Sequence, residues 1–187
     1  ISKPFVPNFW RAETDNDWRG WKPSHYLAFW KTASTELEYN TQIHVTSSEE
    51  KAVVAVTKRI EGRLDLQLTY VVDASGDLCV NYDVHIGDDV LEPQRIGLQG
   101  QIDSRFSQVT YFGRGPWENY SDRKDGIMLG RWSSKVEDMM TQYVYPQENG
   151  NRTDVKWFAL TDENGHGIRI SGDFPLNFSV WNTTQAE

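Results

Sequence analysis

Apolar and polar side chains alternate in short runs over much of residues 35–110. Leu64, Leu66, Leu68, Tyr70 and Val72 alternate with Asp65, Gln67 and Thr69, and after Asp73-Ala74-Ser75-Gly76-Asp77 the alternation resumes at Leu78, Val80, Tyr82, Val84 and Ile86. A period of two puts one set on each face of an extended chain, so this stretch predicts a hairpin with one face buried. The other face carries Cys79, Asn81, Asp83 and His85. Strand periodicity alone brings those four together, and a polar sheet face is the simpler reading than a metal site. Further strands are predicted at 51–60, 95–103, 108–112, 155–160, 167–171 and 176–181, with Asp162-Glu163-Asn164-Gly165 as a turn that leaves His166 exposed.

Helical spacing occurs once, at Tyr26, Phe29, Trp30 and Ala33 behind Ser24 as N-cap, with His25 on the surface. Pro4 and Pro7 keep the first ten residues extended. Neither a repeat nor an interdomain linker interrupts the pattern. The expectation is a single antiparallel all-β domain over 1–187 with one short helix.

Composition narrows the function classes. The 187 residues are 38% hydrophobic, enough for one sizeable core. A formal net charge of -8 argues against nucleic acid and anionic membrane as partners, and no apolar run is long enough for a membrane-spanning helix. The single Cys79 forms neither an internal disulfide nor a thiolate zinc site. Aromatic residues make up 13% of the chain, with eight Trp. Such rings serve either a packed core or the apolar faces of sugars, and the core is the commoner use.

Two stretches break the alternation. Tyr111 to Gly126 reads YFGRGPWENYSDRKDG, and Tyr143 to Trp157 reads YVYPQENGNRTDVKW. Large aromatics are mixed there with Gly, Pro, Asn and Arg–carboxylate material, which predicts ordered, packed loops. Gly113 and Gly115 are expected to open backbone conformations closed to other residues, Pro116 to fix a tight turn, and Asn119, Asp122, Asn149 and Asn151 to bond nearby main chain. A third segment, Trp10 to Asp17, reads WRAETDND and carries Glu13, Asp15 and Asp17. Taken alone it is a solvated acidic turn.

Together these strings, GRGPWENYSDR, YVYPQENG and WRAETDND, resemble the carboxy-terminal small-chain domain of the β-galactosidases of glycoside hydrolase family 2. The resemblance covers most of the chain, with the motifs in the family's order. Glu13 replaces the family's usual Pro, and the loop after Asp17, residues 18–24, is shorter. What the resemblance implies is a β-supersandwich of the galactose mutarotase type, set against a catalytic barrel from an earlier part of the same polypeptide. It places both catalytic glutamates of a retaining glycosidase in that barrel, so no catalytic residue is expected here. Mg and Na belong, by the same token, to other parts of the parent. The family's stacking tryptophan lies beyond Glu187, and Trp181 is not its counterpart.

On this reading the chain is an excised piece of a larger polypeptide, opening at Ile1 without a signal-peptide pattern and closing on the polar tail 182–187. It completes an active-site wall and domain or subunit interfaces of a bacterial β-galactosidase, cytoplasmic or periplasmic and homo-oligomeric. Arg11, Asp15, Asn16, Asp17 and Trp18 become candidates for a loop beside the substrate. Gly113, Gly115, Pro116, Glu118, Asn119, Tyr120, Asp122, Arg123, Pro146, Glu148, Asn149 and Gly150 shape the two motif loops. Glu118 and Glu148 are expected to pair with Arg114, Arg123 or Arg152 rather than to act as the two carboxylates of a glycosidase. Two other readings stay open at this point: a free-standing sugar-binding module with Trp117, Tyr143 and Tyr145 as platform, and a mutarotase-like epimerase.

Overall fold

The computed structural model describes residues 2–39 and 41–183. Its strands are β1 (Lys3–Asn8), β2 (Thr41–Ser47), β3 (Lys51–Ile60), β4 (Leu64–Asp73), β5 (Leu78–Ile86), β6 (Gly97–Gln101), β7 (Gln108–Gly115), β8 (Met128–Lys135), β9 (Arg152–Thr161) and β10 (Gly167–Phe178). Three helices, α1 (Asp15–Arg19), α2 (Pro23–Tyr26) and α3 (Ala28–Tyr39), replace the single one expected. The fold is otherwise the antiparallel all-β one that the alternation predicts, and it forms two compact units.

One unit comprises Val6–Trp10 and Gly20–Gln99. Its sheet runs β2-β3-β4-β5, each pair antiparallel. Register places Val56 opposite Leu68 and Leu68 opposite Tyr82, so the alternating apolar residues of neighbouring strands share one face. That face meets Phe9, Leu27, Trp30 and Ala33, and Leu64, Leu66 and Leu68 are buried against them. The Trp30 indole donates to the Leu91 carbonyl at 2.7 Å, which satisfies its one polar atom inside the core. Burial fades toward the hairpin end, where Val72 and Leu78 are exposed. Cys79, Asn81, Asp83 and His85 all face solvent.

The helical region departs from expectation. Lys22, in the left-handed region at φ 50°, leads into α2, with Pro23 at its first turn, and Ser24 lies inside the helix rather than capping it. A break at Leu27 separates α2 from α3, and Tyr26 points into solvent while Trp30 and Ala33 fill the core. Helix α3 continues to Tyr39 across positions expected to begin the strands.

The other unit comprises Ile1–Phe5, Arg11–Arg19 and Gly100–Glu187. Its sheet runs β10-β9-β7-β8. Val109, Tyr111, Val136, Met139, Val155, Leu160 and Phe178 form its core, where Phe158 stacks on Phe178 with ring centroids 4.3 Å apart. Strand β8 was not expected. The segments 167–171 and 176–181, read as two strands, are largely one, interrupted by a register shift between Ser171 and Leu176. Strands β1 and β6 pair in a separate two-stranded sheet. The polar tail ends in residues 184–187, which lie outside the described residues.

Candidate functional site

The motif segments converge in the second unit. Strand β7 delivers the first of them. Gly113 and Gly115 lie within that strand, not in a turn, and neither has a positive φ. Close approach explains Gly113 instead: a Cβ there would stand 2.6 Å from Val155 Cγ2 and 2.9 Å from Val155 Cα on the neighbouring strand. The backbone then turns through a cis Gly115–Pro116 peptide bond. Positive φ does matter at Gly150, where φ is 76°.

Asn119 is the hub beyond that turn. It is fully buried, and its amide nitrogen donates to the carbonyls of Arg114 at 3.2 Å and Trp117 at 2.9 Å. Its Oδ1 accepts from the Thr153 amide at 2.9 Å and the Thr153 hydroxyl at 2.5 Å. Asn151 donates its side-chain amide back to the Asn119 carbonyl at 2.8 Å. Four bonds from one buried side chain tie the loop after β7 to the start of β9, satisfying groups that would otherwise be stranded away from water. Asn119 and Asn151 also begin Asn-x-Ser/Thr sequences, and their burial keeps both from acting as glycosylation acceptors in the folded chain.

Glu118 joins the two loops. Its Oε1 accepts from Arg123 Nη2 at 2.6 Å and from the Tyr143 hydroxyl, and its Oε2 accepts from the Gly150 amide at 2.8 Å. Burial pushes this carboxyl up. Hydrogen bonds from Tyr143, Gly150, Thr141 and Arg123 outweigh that and hold it below the usual carboxylate range. Glu148 is buried and accepts from the Ala12 amide at 3.3 Å, which fastens the third motif to the second. Asn149 bridges within its own loop, donating to the Gln147 carbonyl at 3.1 Å, and the Trp181 indole donates to the Asn149 carbonyl at 3.2 Å.

The arginines divide differently from expectation. Arg123 pairs with Glu118, but Arg114 pairs with Asp154 at 2.6 Å and donates to the Lys124 and Ile127 carbonyls. Lys124 joins the same Asp154, whose carboxyl is held down by the Arg114 and Lys124 bonds. Arg152 is buried and donates to the Tyr111 hydroxyl, to the carbonyls of Pro116, Gly150 and Asn151, and toward Met139 Sδ. Tyr120 bridges to Arg123 through main-chain bonds, and burial raises its hydroxyl pKa. Asp122 is exposed and outside this network.

In the WRAETDND segment, Thr14 and Asp17 form a capping box. Asp17 Oδ2 accepts from the Thr14 amide at 2.9 Å while Thr14 Oγ1 accepts from the Asp17 amide at 3.3 Å. Arg11 Nη1 donates to the same Asp17 Oδ2 at 2.6 Å. Desolvation raises the Asp17 carboxyl, but the Arg11 guanidinium and the Thr14 bonds bring it down to about 2. Asp17 is thus a buried helix-start residue, and the solvated acidic turn expected from sequence is replaced by α1. With Asp17 engaged by Arg11, the Asp15–Asp17 pair does not fit a metal site. Among the described residues no three His, Cys, Asp or Glu side chains stand together as metal ligands.

Helix α1 and the 143–147 loop border a cleft of about 400 Å³, lined by Asp15, Trp18, Arg19, Tyr143, Tyr145 and Gln147. Trp18 and Tyr145 face each other with centroids 6.5 Å apart and planes tilted by 40°. Gln147 Oε1 accepts from the Asp15 amide at 3.2 Å, holding the two walls together. Of the candidates beside the substrate, Asp15 and Trp18 line the cleft, Asn16 is exposed, and Arg11 and Asp17 lie beneath as supports. Trp117, expected beside Tyr143 and Tyr145 in a platform, is exposed and does not line it. Arg19 and Gln147 were not anticipated; no periodicity marks them, and only the folding back of one loop on the other brings them together.

The Glu118 carboxylate is saturated with donors. A glycosidase acid needs a carboxyl held neutral, and its nucleophile needs an open approach to the sugar. Glu118, held ionised at 8% side-chain exposure, offers neither.

The chain belongs to the β-galactosidase small chain family, which matches residues 1–187. Among curated proteins it is similar to the β-galactosidase of Priestia megaterium, 33% identical over 173 residues, and to that of Lactobacillus delbrueckii subsp. bulgaricus, 35% identical over 174 residues. The β-galactosidase of Streptococcus thermophilus is 34% identical over 169 residues. These matches cover 92%, 92% and 88% of this chain but span only 16%, 17% and 16% of the relatives' lengths.

Proposed function

We propose that this chain is a non-catalytic domain of a β-galactosidase that hydrolyses terminal β-D-galactosides, and that it completes the active-site wall and the domain or subunit interfaces of that enzyme. The observation that carries the reading is the state of its loop glutamates: Glu118 is closed off by Tyr143, Arg123 and the Gly150 amide, and Glu148 is buried. Both serve as fasteners of the motif loops. The small share of each relative's length that the chain spans is in keeping with chemistry carried elsewhere in the parent. The two compact units belong to one domain of the mutarotase-like supersandwich type, as their joint match to one family suggests. The parent is a retaining enzyme of glycoside hydrolase family 2, with a catalytic barrel as this chain's principal partner, metals held in other parts, and a homo-oligomeric state. No helix among the described residues is long and apolar enough to cross a membrane.

The test is complementation. The chain alone should release no nitrophenol from nitrophenyl β-galactoside. Mixed with the Priestia megaterium enzyme lacking the matched segment, it should raise hydrolysis above that of the truncated enzyme. Turnover by the isolated chain, abolished in Glu118→Gln, would overturn the structural role given to Glu118.

A further inference from the structure

We infer that the cleft between α1 and the 143–147 loop is a binding site for a neutral pyranoside, held against the Trp18 and Tyr145 rings. Three observations point there. Both rings are 60% exposed, although burying them would be favourable, and they stand as two tilted walls rather than closing face to face. The space of about 400 Å³ lies within the roughly 300–1,000 Å³ usual for small-molecule sites. Polar groups of both kinds ring it: the Asp15 carboxylate and Gln147 amide oxygen accept, and the Arg19 guanidinium donates. Neither the Asp15 carboxylate nor the Arg19 guanidinium has a hydrogen bond or ion pair of its own among the described residues.

That combination matches a sugar better than other small ligands. A pyranose has apolar C–H faces that lie on aromatic rings and a rim of hydroxyls that both donate and accept. A phosphate or carboxylate ligand would meet Asp15 and a chain of net charge -8. A purely apolar ligand would leave Asp15 and Arg19 desolvated without partners.

The site is also built before any ligand arrives. Arg11 and the Thr14–Asp17 capping box fix α1 from below, the Ala12 amide bonds Glu148, and Glu118 holds Tyr143 from behind. None of those bonds involves the Trp18 or Tyr145 ring, and both stay exposed. Because the ordering is already in place, binding need not immobilise the walls.

The inference deepens the galactosidase reading and rests on it only for the choice of probe. Titration of the 187-residue chain with lactose, followed by indole N–H resonances, should give a saturable shift of the Trp18 signal with Kd on the order of 1 mM. Trp18→Ala and Tyr145→Ala should each weaken binding about tenfold or more, Asp15→Asn by severalfold, and Trp117→Ala should leave it unchanged. Trp18 and Tyr145 are solvent-facing, so the variants should keep the wild-type fold, checked by the dispersion of the remaining amide signals. The inference is overturned by the absence of a saturable shift, or by equal affinity in Trp18→Ala and wild type. Lactose binding without recovered hydrolysis in the complementation assay leaves this site standing and removes the galactosidase role; recovered hydrolysis without binding does the reverse.

Discussion

The β3–β5 meander and the motif loops are held by opposite means. In the meander, Leu64, Leu66 and Leu68 bury one face against Phe9 and Trp30, and each contact is non-directional. In the loops, Asn119, Asn151, Arg152 and Thr153 are buried polar groups beside the half-buried Glu118, and each needs a partner at a particular distance and angle. An apolar face tolerates loss by partial collapse of its neighbours. A buried polar network does not, because removing one member strands the rest.

That contrast predicts its largest effect at Asn119. Replacing it with Ala orphans the Thr153 amide and the Arg114 and Trp117 carbonyls, for a loss of about 4 kcal/mol in denaturant unfolding. Hydrogen exchange should quicken across 113–120 and 150–154 while β3–β5 stays protected. A loss under about 1 kcal/mol would erase the distinction between the two regions. Leu66→Ala, in the meander, should cost somewhat less, about 3 kcal/mol, with the slowest exchange lost from β3–β5 instead. A larger cost for Leu66 than for Asn119 would reverse the ranking.

The same contrast decides what could be read from sequence. Strand β3 falls on the expected residues 51–60, and the β4–β5 hairpin follows its alternation nearly to the residue, because burial of one face imposes a period of two. Strand β8 escaped because it is an edge strand with almost no apolar period: Met128 and Leu129 are both exposed, and its register with β7 is set by main-chain bonds. Strand β10 was split in two by Gly172-Asp173-Phe174-Pro175, where the register shifts. In the loops, residue types announced order without announcing its reason. Gly113 was read as a conformational need and is a packing one; Asp17 was read as solvated and is a capping residue under Arg11. The signal for the latter was present, since Thr14-x-x-Asp17 is the spacing of a capping box.

A pH series sharpens the comparison at a third level of effect. Asp17 titrates near 3.8 when unfolded and at about 2 in the folded chain. A depressed carboxyl contributes stability above its unfolded value and loses it as pH falls toward the folded one. The window is therefore about pH 4 to 2, and the contribution at neutral pH is about 2 kcal/mol. Wild type should lose that advantage over Asp17→Asn across the window, measured as the difference in denaturation midpoint at each pH. Glu118 and Asp154, also held below their ordinary values, add to the acid sensitivity of both proteins and cancel in that difference. A difference that stays constant from pH 6 to 2 would mean that Arg11 and Thr14 do not hold Asp17 in its charged form.

The smallest effect belongs to the outer face of the meander. Cys79, Asn81, Asp83 and His85 share that face only because every second residue of β5 must. They neighbour one another without converging on a point, and Cys79 is an exposed free thiol. Cys79→Ser should therefore change stability by less than about 0.5 kcal/mol, and added Zn²⁺ should leave the melting temperature of wild type and variant alike. A zinc-dependent rise in wild type that vanishes in Cys79→Ser would show that side chains placed together by a period of two had been put to chemical use. The opposition between a face held by burial and loops held by partnership would then need a third category.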